Sequence, residues 1–214
     1  MATIDFTLDK YQGLSDKVFS GLEQAILDGG ILPGQKIIEV EIASQLGISK
    51  APVREALKRL EALGVVEYAP RKGFSVKSYN EKNIRDLFDF ILVIEEFILV
   101  KAIENKTEES VLLLENLLKR MYKTAEELDY ETYFEINDDF HNYFDEFSKN
   151  EWGYRISKIL RTQTKVLRSL ALSPEIGFHG SILEHVKMVD LYRAGDIKEL
   201  VNLMTIHQLR VRDS

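Results

Sequence analysis

The chain has no cysteine among its 214 residues, which excludes disulfide bonds and metal sites built on thiolates. It also has no apolar run long enough to span a bilayer, because stretches such as FILVIEEFILV are short and are interrupted by acids. The first residues, MATIDFTLDKYQG, lack the basic-then-apolar pattern of a secretion signal. Together these absences predict a cytoplasmic protein with no membrane partner.

The chain is also poor in positive charge, with a formal net charge of −7. The deficit is uneven: residues 1–78 carry 10 basic and 10 acidic side chains, whereas residues 79–214 carry 18 and 25. Within residues 49–77, seven bases stand against three acids. Charge alone favours an ordinary solvated surface over a surface for an anionic partner, so the meaning of this local excess depends on the fold that carries it.

Residues 1–78 are predicted to form three helices and a hairpin. Apolar residues repeat at helical spacing in LSDKVFSGLEQAIL, ILPGQKI is read as a turn, and EVEIASQLG is a short second helix. Ser49 is the expected N-cap of a third helix, which ends at Gly64. The runs VVEY and FSV flank the turn Pro70–Gly73 as a two-stranded hairpin. This order of elements is that of a winged helix-turn-helix domain.

A winged helix-turn-helix would bring the local positive charge onto double-stranded DNA. Its third helix enters the major groove with its N-terminal residues near the base edges. The N–H groups at the start of that helix suit phosphate, and the hairpin tip reaches the neighbouring backbone or the minor groove. The residues predicted to contact DNA are Ser49, Lys50, Arg54, Arg71, Lys72 and Gly73.

The rest of the chain, residues 79–214, is predicted to be helical throughout, after a linker at SYNEKN. It contains no β-rich segment, no repeat and no low-complexity tract. Six helices of about twenty residues predict an antiparallel bundle, so that the fold class is mainly α. The predicted spans are 83–104, 107–128, 130–148, 151–172, 178–194 and 196–212.

The segment ILPGQKIIEVEIASQLGISKAPVREALKRLEALGVV resembles the N-terminal domain of GntR-type bacterial transcription regulators. The shared elements are the L-x-P-G turn, the E-x-x-x-A-x-x-L-G-I-S helix and turn, and the run P-V-R-E-A-L-x-R-L-E-A-x-G. The helical remainder resembles the FCD-type effector domain of the FadR subfamily, in its six-helix, VanR-like branch. The resemblance implies a ligand-responsive regulator that binds a DNA operator.

The resemblance also implies a divalent metal ion inside the helical domain, with zinc or nickel as its expected identity. Relatives commonly bind it with an Asp-x-x-x-His helix and two later histidines. The matching positions here are Asn137, His141, His185 and His207. Asn137 stands where the family usually has Asp, and an amide oxygen can also ligate. Asp138 stays open as the alternative ligand, because it too lies one helical turn before His141.

The residues around the histidines are consistent with such a site. His185 has Ile182 and Met188 three positions away on either side, so it lies on a mostly apolar helix face. The other two candidates also have apolar residues one turn away. Three inward imidazoles are costly unless they are partnered, and one metal ion would satisfy them together. His179, in EIGFHGS, is predicted not to be a ligand.

These observations predict a DNA-binding transcription regulator that acts as a homodimer, since a palindromic operator needs two reading helices. The effector is expected to be a small anion, a carboxylate, because a neutral Asn137 leaves the metal charge uncompensated. Two other functions stay open: a metal-dependent enzyme that uses the three histidines, and a non-catalytic interaction protein. Turnover of a candidate ligand would indicate the enzyme, and failure to bind DNA at low salt would indicate the interaction protein.

Overall fold

The computed structural model describes residues 13–171 and 174–212. Within these ranges the chain has nine helices and three short strands, which confirms the mainly α fold class. It divides into two compact units, one up to residue 81 together with 159–171, the other of 82–158 together with the residues after 171. Among the helices of the described ranges, none is long and apolar enough to cross a membrane. The predicted domain boundary at residue 78 stays a prediction.

The first unit contains the helix-turn-helix and a small sheet. Its elements are α1 Leu14–Leu27, β1 Lys36–Ile37, α2 Glu39–Leu46, α3 Lys50–Ala62, β2 Val66–Ala69 and β3 Gly73–Val76. Helix α2 ends at Gly47, whose φ of 65° closes the helix at low cost because glycine has no Cβ. Helix α3 buries Val53, Leu57 and Leu60, which lie on one face at spacings of four and three residues. Its amphipathic pattern therefore fixes which side faces outward.

The sheet has three strands in the order β1-β3-β2, so the predicted two-stranded hairpin was incomplete. Strand β1 pairs antiparallel with β3 through Lys36 opposite Ser75 and Ile37 opposite Phe74. With two residues, β1 has no alternating pattern of its own, so the sequence pattern ILPGQKI predicts only a turn there. The hairpin of β2 and β3 around residues 70–72 is present as predicted.

The second unit is built from helices joined by short connections. They are α4 Glu81–Glu104, α5 Glu108–Glu126, α6 Tyr130–Phe147, α7 Glu151–Ala171, α8 Pro174–Ala194 and α9 Ile197–Arg212; the last thirteen residues of α7 belong to the first unit. Helix α8 begins four residues before the predicted start at 178, and proline is favoured at such a first helical position. The core includes Leu114, Met121, Phe140, Phe144, Met188, Tyr192 and Met204.

Candidate functional site

The outward face of α3 carries a row of bases. Lys50, Arg54 and Lys58 are exposed and lie four residues apart, so they share one side of the helix. Ser49 occupies the N-cap position as predicted, but its side chain makes no capping hydrogen bond. The N–H groups of the first turn therefore keep their capacity to bind an anion.

The hairpin of β2 and β3 supplies a second set of bases at its tip. Arg71 and Lys72 are exposed, and Arg71 adopts a left-handed φ of 67° next to Gly73 at 83°. The Lys72 N–H donates to the Ala69 carbonyl at 3.0 Å and closes the turn. A cleft of about 470 Å³ between α2, α3 and the hairpin is lined by Arg54, Lys72 and Gly73, among others. The structure thus brings these three predicted residues together, with Ser49 and Lys50 at the start of the same helix.

Arg54 is held by an acid that the sequence did not point to. Its Nε donates to Glu39 Oε1 at 2.8 Å and its Nη2 donates to Glu39 Oε2 at 2.7 Å. The hydrogen bond from Arg54 lowers the pKa of Glu39, and the same contact raises the pKa of Arg54. The pair is ionised at neutral pH and forms the bidentate geometry that fixes a guanidinium plane.

Three buried histidines meet inside the second unit, one from each of α6, α8 and α9. His141, His185 and His207 each offer a ring nitrogen, and these atoms lie within 4.8 Å of one another. His185 Nε2 is 3.3 Å from His141 Nε2. A zinc ion with bonds of about 2.0–2.1 Å at tetrahedral angles separates two nitrogen ligands by about 3.3 Å. The separation of His141 Nε2 and His185 Nε2 therefore fits two ligands of one cation, and His207 offers a third ring nitrogen within 4.8 Å.

Two of the rings have polar groups beside their Nδ1 atoms. His207 Nδ1 donates to Glu184 Oε2 at 2.6 Å, and Arg210 binds the same carboxylate. Ser181 Oγ lies 3.5 Å from His185 Nδ1. A carboxylate beside one ring nitrogen fixes the tautomer of a histidine, so that the other nitrogen carries the lone pair that can bind a metal; this is the usual arrangement around metal-binding imidazoles.

A polar stripe on α6 continues the cluster along one helix face. Asn137, His141 and Asp145 are four residues apart and are all buried. The Ser157 hydroxyl donates to the Asp145 carboxylate, with 2.9 Å to each oxygen. The Phe140 ring packs edge-on against His185, with ring centroids 4.6 Å apart. The histidines thus lie between apolar packing and a line of polar side chains.

The two candidates for a fourth ligand differ in their surroundings. Asn137 is 3% exposed, and its Nδ2 has no hydrogen-bond partner among the described residues. Asp138 is half-buried, and its carboxylate is not among the groups that gather around the histidines in the described part of the chain. His179 lies within α8, but its side chain is outside what the structure describes.

Sequence reasoning missed the acids behind the functional side chains. Glu39 is 15 residues from Arg54, and Glu184 is 23 residues from His207, so neither pair belongs to one local motif. Only the acidic first turn of α2 and the Glu-His pair in α8 hinted at them. Arg210 was detectable in principle, since it lies three residues after His207 on the same helix.

Two family models match the chain. Residues 14–76 match the bacterial regulatory proteins of the gntR family, and residues 86–210 match the FCD domain. The first match contains the helix-turn-helix and the hairpin, and the second contains the three histidines. Both predicted halves of the resemblance are therefore confirmed.

Similar proteins are named as transcriptional regulators. The uncharacterized regulator YdhC of Bacillus subtilis (strain 168) is 29% identical over 147 residues, or 68% of this chain and 66% of that protein. The regulator McbR of Escherichia coli (strain K12) is 29% identical over 128 residues, or 60% and 58%. The chain thus spans less than two thirds of the length of each of these relatives.

The fold is shared with a solved structure titled E. coli McbR/YncC. The two agree with a TM-score of 0.77 at 22% identity, over 93% of this chain and 95% of the other. The relatives and matched families are regulators, a non-enzymatic class, which confirms at family level the prediction that the protein is not an enzyme. The chain belongs to the GntR family of bacterial regulatory proteins and carries an FCD domain in its helical part.

Proposed function

We propose that the protein is a cytoplasmic, DNA-binding transcription regulator whose helical unit senses a small anion through a bound divalent cation. The exposed row of bases on α3 supports DNA reading, because its spacing suits a helix lying in the major groove. The hairpin bases suit the adjacent phosphates. The observation that carries the sensing half is the meeting of three buried imidazoles from three helices.

In this proposal Asn137, His141, His185 and His207 hold the cation, and zinc or nickel is the expected metal. Its chemical contribution is a Lewis-acidic charge in a dry interior, where anionic oxygen donors bind strongly. An amide that gives its oxygen to a cation still needs an acceptor for its NH2 group. A carboxylate effector would do two things at once: it would accept a hydrogen bond from Asn137 Nδ2, and it would offset the cation's charge. Both effects support a carboxylate as the effector class.

The experiment for DNA binding is selection from a randomised duplex library with purified full-length protein. We expect enrichment of a palindromic sequence, because two copies of α3 would read two half-sites. Failure to enrich any sequence at low salt would contradict the proposal.

Two alanine variants should distinguish a contact to a base from a contact to a phosphate on the selected duplex. Arg54→Ala should weaken specific binding by about 1–3 kcal/mol, since a bidentate contact to guanine is lost. Lys72→Ala should weaken specific and nonspecific binding alike and lower the salt slope by about one unit, as expected for one phosphate contact. Titrations at several salt concentrations measure both effects, and wild-type behaviour of both variants would show the docking assignment to be wrong.

The second copy is proposed to dock on the outer face of α4. Phe90, Val93 and Phe97 are 51%, 62% and 40% exposed and lie at spacings of three and four residues, so they form one apolar strip. A strip of this kind favours an interface between copies. A homodimer is also needed for function, since one small module rarely reaches operator-level affinity.

Val93→Glu in the full-length protein should weaken the dimer at least about 100-fold, because it places unpaired carboxylates in an apolar interface. Analytical sedimentation over a range of concentrations measures the change. Leu112→Glu is the matched control, since Leu112 is 53% exposed on α5, outside the strip. Equal weakening by both variants, or by neither, would move the interface elsewhere.

A further inference from the structure

The Glu39–Arg54 pair contributes little to the stability of the fold, but it orients the Arg54 side chain on the α3 surface assigned to DNA. Both ends of the pair lie in the first unit; the Arg54 side chain is 61% exposed and the Glu39 side chain 17%, so solvent reaches the pair mainly from the arginine side. Ion pairs that solvent screens contribute at most about 1 kcal/mol to folding. Yet two parallel hydrogen bonds hold this arginine in one orientation at the α3 surface assigned to the major groove.

We propose that Glu39 is a positioning residue that holds the Arg54 guanidinium edge-on to a guanine in the major groove. The inference rests on the DNA-reading role proposed for Arg54. Glu39 itself would not touch the base; it would act through the arginine.

The N–H donors of Arg54 are enough to bind Glu39 and a guanine base at the same time. A guanidinium has five N–H groups, and Glu39 takes the one on Nε and one of those on Nη2. The adjacent N–H groups of Nη1 and Nη2 at the outer end stay available, and Arg54 has no other hydrogen bond within the described ranges. Guanine presents O6 and N7 side by side in the major groove, which matches those two donors.

The pairing also favours selectivity over general attraction. An arginine that is already ordered loses less side-chain freedom on binding. The Glu39 carboxylate offsets the arginine's charge, so Arg54 is a weaker ligand for any passing phosphate and keeps its directional donors. Glu39 would therefore raise the ratio of specific to nonspecific binding.

The test measures coupling between single protein groups and single base atoms. Each guanine of the duplex selected by the wild type is replaced in turn by 7-deazaguanine, which removes the N7 acceptor. We expect one position where the wild type loses affinity by roughly tenfold. In Arg54→Ala that penalty should disappear, and in Glu39→Gln it should fall by roughly half on a logarithmic scale. Glu41→Gln is the matched control, with the same charge change in the same first turn of α2.

The outcomes separate this inference from the proposed function. If Arg54→Ala removes the penalty while Glu39→Gln keeps it in full, Arg54 reads guanine and Glu39 does not position it. A larger penalty or tighter specific binding in Glu39→Gln would mean that Glu39 masks the arginine, and would overturn the proposal. If no deaza substitution couples to Arg54, the reading role itself fails. If the 7-deazaguanine penalty falls by the same factor in Glu39→Gln and Glu41→Gln, the cause is a general charge effect, and the proposal is overturned.

Discussion

His185→Ala is expected to lower the affinity of the protein for Zn²⁺ by roughly 100- to 1,000-fold. Four-ligand structural zinc sites bind with about 10–16 kcal/mol, or roughly 2.5–4 kcal/mol for each ligand. His185 Nε2 lies 3.3 Å from His141 Nε2, a separation that suits two ligands of one zinc ion. Calorimetric titration of the metal-free protein with Zn²⁺ measures the loss.

Thermal unfolding is a second measurement of the loss of Zn²⁺ binding in His185→Ala. A ligand that binds only the folded state raises the free energy of unfolding by RT ln(1 + [L]/Kd), so Zn²⁺ should raise the Tm of the wild type. At a Zn²⁺ concentration that saturates the wild type but lies well below the weakened Kd, the increase should be absent in His185→Ala. Comparing each variant with and without Zn²⁺ removes the cavity effect of the substitution itself. His179→Ala, which removes the same kind of side chain from the same helix, should bind Zn²⁺ as the wild type does.

Retention of Zn²⁺ by His185→Ala would place the metal elsewhere and contradict the three-histidine site. Loss of binding in His179→Ala as well would indicate that the predicted ligand set is wrong.

The helix-turn-helix was predictable because its signals are local. Gly47 ends α2, Ser49 precedes α3, and the buried stripe of α3 follows helical spacing. Strand β1 was not predictable in the same way. It has two residues, and it exists only because Ile37 lies opposite Phe74, almost forty residues later. Short strands depend on their partner, which a local pattern does not contain.

The sequence predicted that the histidines lie on inward helix faces, but it did not predict the polar groups that contact their rings. Apolar neighbours showed that His185 points inward, which its complete burial confirms. Glu184 directly precedes His185, and no local sequence pattern indicated that its carboxylate contacts His207 on the next helix. The packing of α8 against α9 determines that contact, so the polar groups that orient a site are the part that sequence patterns reveal last.

Asn137→Asp is expected to raise the Zn²⁺ affinity of the protein by roughly 10- to 100-fold, because it adds a negative charge beside a divalent cation in a buried site. The change is nearly isosteric, so packing around the 3%-exposed side chain is preserved. Without metal the new carboxylate is a buried charge, and the Tm should fall. With saturating Zn²⁺ the Tm should exceed that of the wild type. This reversal distinguishes a ligand from a merely buried residue.

The same substitution should weaken the coupling between metal and effector. In the wild type the cation keeps its full charge, so a bound carboxylate and Zn²⁺ each tighten the other. In Asn137→Asp the protein supplies the negative charge and replaces an NH2 donor with an acceptor, so a carboxylate loses both its attractions. Zn²⁺ titrations with and without acetate, succinate or citrate measure the coupling. If Asn137→Asp leaves Zn²⁺ affinity unchanged while Asp138→Asn lowers it, the fourth ligand is Asp138, and the wild-type site already carries the compensating charge that the anion was proposed to supply.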